Sequence, residues 1–317
     1  MTNAASTAPQ LGHVTIAGRS YTVGRDFGRP PPDIAPARVS QVAVDSFGNV
    51  HVLRRGEPPV LVFESDGAFV RSYGQGEIFD SHGISIDHRD RVWIADRDAH
   101  QIVVFDLEGE VLLWIGDRHV PRWMAPFNHP TRTAVALDGE IYVADGYGNA
   151  RIHRFTPEGK WRASFGQVGQ GSSEFMTPHS IIVDRQNRLI VCDRENDRVQ
   201  IFERDGRWLA EWRGLCRPMD LCERDDGVIL VTDQVPSVNA FAPDGTRIGR
   251  GRPSLNGAHG IALGRAGEIY LAEIDPSCVT KMTPAEQGPA TPVHHMTQQF
   301  PSKKFAPGVG PIPREQA

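Results

Sequence analysis

The strongest constraint on the fold is a repeat. A unit of about 40 residues recurs through most of the chain. It reads as an apolar strand, a Gly- or Asn-bearing turn, a second apolar strand ending in an acid, a polar loop, a third strand ending in Phe, an Asp-Gly-type turn and a fourth strand ending near Gly. The clearest copies are "HGISIDHRDRVWIADRDAHQIVVFDLEGEVLLWIG", opening at His82, and "HSIIVDRQNRLIVCDRENDRVQIFERDGRWLAEWRG", opening at His179. Others open at Ser40, Thr131 and, more weakly, Met219; a sixth, "HGIALGRAGEIYLAEIDPSCVTKM", opens at His259 and lacks its last strand.

Each copy is β in character. Val, Ile, Tyr and Trp fill the strands, and Gly, Asp and Asn bound them. "SDGA", "LEGE", "PEGK", "RDGR" and "PDGT" mark a tight hairpin at one repeated place. No stretch has helical periodicity. Four strands per repeat is the signature of a propeller blade, so six copies predict an all-β, six-bladed β-propeller. The incomplete sixth blade needs a donor strand, and the extended segment "HVTIAGRSYTVG", residues 13–24, is expected to close the ring and remove an open sheet edge. The propeller is expected over 13–282, with a flexible tail at 1–12 and a Pro-rich tail at 283–317.

Composition narrows the function classes. The chain has 317 residues, a net charge of −5 and a sequence pI of about 6.2, unlike a nucleic-acid-binding footprint. No apolar run approaches the roughly 20 residues that span a bilayer. The first residues, "MTNAASTAPQLGHVT", lack a basic segment followed by an apolar one and do not read as a signal peptide. Cys192, Cys216, Cys222 and Cys278 show no CxxC pairing, so a cytoplasmic protein with free thiols is expected; an oxidising compartment would allow two disulfides.

Aligning the copies on the acid that ends the second strand brings out a phase. Fourteen residues before Asp96 stands His82, before Asp193 stands His179, and before Glu273 stands His259. The equivalent places in the other copies are Ser40, Thr131 and Met219. Histidine therefore occupies alternate blades, about 120° apart around a six-fold ring, at a position expected to precede the innermost strand and border the central channel. A lone histidine near a strand is usually structural. Three in phase, among 12 in the whole chain, point to convergence. Three imidazoles with an open fourth position form the catalytic type of metal site; they suit zinc, copper, iron or nickel, and availability favours zinc. His13, His51, His88, His100, His119, His129, His153, His294 and His295 lack the phase, although His129 falls two residues early and could line the mouth.

The residues following the strand-ending position are Arg55, Arg97, Gly146, Arg194, Gln234 and Ile274. Arginine there could fork onto a carboxylate, or could be a solvated loop residue. Asp96, Asp145, Asp193 and Asp233 read as structural, capping turns or orienting neighbours. "ADGYGNARIHRF", residues 144–155, departs from the repeat: Gly146 and Gly148 flank Tyr147 and are expected to free the backbone for a tight loop. That loop could project the phenol into the channel as a base, or pack it at the rim.

"DGYGNARI", "TPHSIIVDRQNRLIVCDRENDRVQIF" and "HGISIDHRDRVWIADRDAHQIVVFD" carry a resemblance. The blades resemble NHL repeats, and the ring from about 40 to 282 resembles the peptidyl-α-hydroxyglycine α-amidating lyases. The resemblance implies a catalytic zinc held by His82, His179 and His259, with Tyr147 as base and Arg55 and Arg194 serving the substrate. Arg55 rather than Arg54 is indicated by the Arg-Gly match and by phase. The implied reaction cleaves the C–N bond of an N-acyl or N-substituted α-hydroxyglycine to an amide and glyoxylate.

The chain also departs from that family. Gly148 stands where the family has a disulfide cysteine, and Gly257 where it has a methionine. Gly260 replaces an aspartate that helps bind a structural calcium, so the resemblance does not carry that calcium over. The expected partner is a small-molecule or peptide substrate bearing an α-hydroxyglycine-like group, with no nucleic acid and no membrane. No hydroxylating domain is legible, so such a substrate is expected from another protein or from spontaneous chemistry. Two other readings are a non-catalytic NHL binding platform, which needs no histidines in phase, and a metal-dependent lactonase or hydrolase. Calcium lactonases of this shape use mainly oxygen ligands, whereas imidazoles argue for a softer metal.

Overall fold

The computed structural model describes residues 12–285. Apart from a short parallel pair, Gln167–Val168 with Glu174–Phe175, its strands form six antiparallel blades, and the innermost strands follow one another around a closed ring. These are Arg38–Val44, Ser81–Ile86, Arg132–Val135, Pro178–Val183, Leu221–Glu223 and Ala258–Leu263. The weak fifth copy has the shortest of them. One three-residue 3₁₀ turn, Arg194–Asn196, breaks the β pattern.

The ring closes through the N-terminal segment. Arg19–Phe27 pairs antiparallel with Cys278–Pro284, with Tyr21 opposite Pro284 and Val23 opposite Met282, and so becomes the fourth strand of blade six. The expected single strand is in fact a hairpin: His13–Ile16 folds back on Arg19–Phe27 as a fifth strand. Ile16 is fully buried in the cluster that contains Leu230 and Val238 of blade five. An apolar residue with a neighbouring blade to cover it explains why the extra strand forms. The expected tails lie outside the described residues, apart from Gly12 and residues 283–285.

Blades hold together by burying both sheet faces. Leu53, Val60, Ile84 and Ile94 fill the space between blades one and two, and Val42, Val52, Tyr270 and Ala272 fill the seam between blades six and one. Truncating one such residue, fully buried Leu53, would cost about 2–5 kcal/mol. The repeated turns have one construction. Gly67 donates its N–H to Glu64 O at 2.9 Å with φ of 97°, and the strand register slips beside it. Only glycine takes that left-handed position cheaply, which is why the turns read Asp-Gly or Glu-Gly.

Candidate metal centre

The histidine position lies within the innermost strand, not ahead of it. In blade two Ser81 pairs with Asp96 and Gly83 with Ala95, leaving His82 as the extra residue of a β-bulge. His179 and His259 sit on equivalent bulges between Pro178 and Ser180 and between Ala258 and Gly260. A bulge re-aims the side chain out of the sheet's alternation, which is how a strand residue comes to face the axis.

The strand-ending acids hold the chain that leads into this bulge. Asp96 accepts from the N–H of Phe79 at 3.1 Å and of Asp80 at 2.7 Å. Asp193 accepts from Met176 N at 3.0 Å, and Glu273 from Leu255 N at 3.0 Å. Asp145 and Asp233 make the same bond in the blades without histidine, to Asn128 N at 2.9 Å and Cys216 N at 3.3 Å. In blade one Arg54 replaces the acid and donates to the carbonyls of Ala35, Glu57 and Pro58.

The three imidazoles converge. Their centroids lie 4.9, 5.0 and 4.9 Å apart, and one ligating nitrogen from each lies within 4.8 Å of the others. The blades between them complete the ring. His82 Nδ1 is 2.9 Å from Thr131 O, His179 Nδ1 is 2.7 Å from Met219 O, and His259 Nδ1 is 2.7 Å from Ser40 O. A carbonyl only accepts, so each Nδ1 must carry the proton and each Nε2 presents its lone pair to the centre. These carbonyls are the orienting partners that a metal-ligating histidine normally has.

Burial lowers the His82 and His179 pKa values well below the ordinary histidine value, and the neighbouring imidazoles and arginines push the same way. Burial brings His259 down to about 3, opposed by the Ser40 carbonyl and helped by Arg55, Arg194 and Arg132. All three are thus held neutral, the form that binds metal. His179 Nε2 is buried with no hydrogen-bond partner, a state that costs free energy unless an electrophile takes the lone pair. The donor set therefore fits a transition metal. Among the described residues, no second group of three ligating side chains converges.

Tyr147 stands over this ring. Its Oη is 3.1 Å from His82 Nε2 and accepts from Arg194 Nη1 at 3.0 Å. Gly146 and Gly148 place it by lacking a Cβ, not by unusual φ. A methyl on Gly146 would collide with the Pro178 carbonyl, and one on Gly148 with Asn128. The backbone N–H of Tyr147 reaches His129 O at 3.4 Å, while the His129 ring packs edge-on against His100 at 4.3 Å and is not one of the converging ligands.

The arginines divide into different situations. Arg194 opens the 3₁₀ turn and also binds Glu195 at 2.8 Å. Arg55 ends the second strand of blade one, its charge is felt by His82 and His259, and its Nε is buried without a partner. Arg97, outside the site expected from sequence, lies 5.4 Å from the Tyr147 ring and pairs with Asp80 at 2.8 Å and Asp98 at 2.7 Å. Its shared phase with Arg55 and Arg194 was the available signal. A cavity of about 340 Å³ opens beside His259, lined by Met219, Gln234, Asn256, Gly257, Ile274 and Asp275. The four cysteines are unpaired, with Cys192 fully buried.

Comparison with known proteins follows the same lines. A family model described as a 6-bladed beta-propeller matches residues 131–228. A probable peptidyl-alpha-hydroxyglycine alpha-amidating lyase of Caenorhabditis elegans is 29% identical over 243 residues, covering 70% of this chain and 69% of that protein. The human NHL repeat-containing protein 3 is 30% identical over 237 residues, covering 69% of this chain and 64% of that protein. The chain is a six-bladed β-propeller that resembles both the NHL repeat-containing proteins and the peptidyl-α-hydroxyglycine α-amidating lyases. The propeller also matches a rat peptidylglycine alpha-amidating monooxygenase, 31% identical over 58% of this chain, but spans only 22% of that protein. Among solved structures, a gluconolactonase from Xanthomonas campestris superposes with a TM-score of 0.67 at 15% identity, covering 90% of this chain and 99% of that one. A streptogramin B lyase superposes with a TM-score of 0.63 at 13% identity, covering 86% of this chain and 98% of that one. At these identities the structures speak for the fold alone.

Proposed function

We propose that this propeller is a carbon–nitrogen lyase that cleaves N-acyl or N-substituted α-hydroxyglycines to an amide and glyoxylate. The observation that carries the reading is the placement of Tyr147 Oη, 3.1 Å from His82 Nε2 at the histidine ring and 3.0 Å from Arg194 Nη1. His82, His179 and His259 would hold a zinc ion, which when bound supplies Lewis acidity at the substrate hydroxyl. Arg55, whose buried Nε has no partner, receives the substrate carboxylate. Tyr147, entering as the phenolate whose charge Arg194 offsets at 3.0 Å, takes the hydroxyl proton as the carbon–oxygen double bond forms. The carbon–nitrogen bond breaks with its electron pair going to nitrogen, and Tyr147 or water returns a proton there. Arg194 steadies the charge that builds on the phenol oxygen while the proton is away.

The cavity beside His259 lies where Gly257 removes side-chain bulk, and Gln234, Asn256 and Asp275 line it. These groups suit a small polar N-substituent, such as a ureido or short acyl group, as well as a peptide. The test is glyoxylate release from α-hydroxyhippurate and from ureidoglycolate by metal-loaded protein. Turnover of either that disappears in His179→Ala is expected. No glyoxylate from either, in protein that holds its metal, would refute the lyase reading.

A further inference from the structure

One residue along each innermost strand from the histidine ring, the channel holds a second layer. Asp220, fully buried, is its hub. Arg132 Nη1 reaches its carboxylate at 2.9 Å, Gln41 Nε2 at 3.0 Å, Ser180 Oγ at 2.6 Å and the Ile261 N–H at 2.7 Å. Those groups come from blades one, three, four and six, so a single carboxylate on blade five ties five blades. Blade two contributes Gly83, where any Cβ would strike the Thr131 carbonyl that orients His82.

This layer connects to the metal centre residue by residue. Asp220 follows Met219, whose carbonyl orients His179; Arg132 follows Thr131, whose carbonyl orients His82; and Gln41 follows Ser40, whose carbonyl orients His259. Ser180 follows His179 itself. A shift of Asp220 is therefore transmitted through one peptide unit to a histidine or to the carbonyl that fixes it.

The charge chemistry is equally specific. A carboxylate removed from water needs a cation, and Arg132 supplies one with a side chain only 9% exposed. Calcium would need six to eight oxygen ligands. Here Asp220 is the carboxylate on hand, its oxygens already accept these bonds, and the Gly260 position is filled by the Gln41 side chain. The residues do not fit a channel calcium.

We infer that the Arg132–Asp220 pair is a positioning device for the three-histidine ring, a built-in cation and carboxylate doing the bridging that a divalent ion would otherwise do along the axis. The inference needs the histidine ring but not the lyase reaction, and it is read without substrate. The full chain is stripped of metal and reloaded with cobalt(II), and its visible spectrum and its loss of cobalt to a chromogenic chelator are followed. Arg132→Met and Asp220→Asn should bind cobalt about 10- to 100-fold more weakly, the usual cost of losing an orienting partner, with altered visible bands. Should either fail to fold, Ser180→Ala removes one donor to Asp220 and should shift the bands and weaken cobalt in the same direction. Wild-type thermal unfolding should not respond to millimolar calcium chloride. Folded variants with wild-type cobalt affinity and spectrum would reduce the pair to an ordinary structural bridge and overturn the proposal. A calcium-induced rise in wild-type stability that Asp220→Asn abolishes would overturn it as well.

Discussion

Replacing Tyr147 with Phe removes one oxygen and little else. That oxygen is the acceptor for Arg194 Nη1 at 3.0 Å and the neighbour of His82 Nε2 at 3.1 Å. The side chain is 39% exposed at the mouth, so the fold should change by less than about 0.5 kcal/mol. A positioned base is worth about 10²- to 10⁴-fold, so kcat for glyoxylate release should fall by roughly 10³, equivalent to about 4 kcal/mol of barrier. KM should move little, because Arg55 and the histidines are untouched. Arg194→Met should lose a charge-assisted bond worth about 1.5–3 kcal/mol, or roughly 10- to 150-fold in rate. If Arg194 acts through the phenol, its removal from the Tyr147→Phe protein should cost almost nothing further. Steady-state kinetics on the two single variants and the double variant measure this coupling. A Tyr147→Phe enzyme within a few-fold of wild type, or two losses that simply multiply, would show that the phenol is not the base that Arg194 serves.

Two further outcomes follow from the packing. Gly146→Ala forces a methyl against the Pro178 carbonyl, next to His179, and should cost about 1–3 kcal/mol in denaturant unfolding along with most of the activity; a Gly146→Ala enzyme of normal stability and rate would refute the close-approach account. Burial raises the Asp45 carboxyl, but hydrogen bonds from His51 and Asn49 outweigh it and lower the pKa from 3.8 to about 2. That carboxylate therefore adds roughly 2 kcal/mol of stability, fully present above about pH 4 and lost as pH falls through about 2. Asp45→Asn should be less stable than wild type at neutral pH, and the gap should narrow in acid; a gap independent of pH would contradict it.

The histidine phase was legible because a repeat supplies its own ruler. Asp96, Asp193 and Glu273 mark one place in three blades, and counting back from them finds His82, His179 and His259. The ring closure was legible for a similar reason, since a sixth copy without a last strand requires a donor. The bulge under each histidine was not, because a one-residue register slip leaves no trace in an apolar run. Nor were the carbonyls of Ser40, Thr131 and Met219, because backbone groups are the same whatever residue carries them. The glycines around Tyr147 are read from sequence through φ, whereas close approach sets the requirement, from Pro178 of the next blade and from Asn128 in the segment entering the same blade, both distant in sequence. Arg132 and Asp220 share one phase with opposite charges inside apolar strands. That pairing could have been found by reading across the copies at each position.

Metal content is the most direct test of the account, because every assigned role depends on three alternate blades delivering one centre. Protein purified without chelator and measured by elemental analysis should carry about one transition-metal ion per chain, zinc by availability, and His179→Ala should have lost it while keeping the propeller's β spectrum. Wild-type protein with no bound metal, or a His179→Ala variant that keeps a full complement, would contradict the central claim.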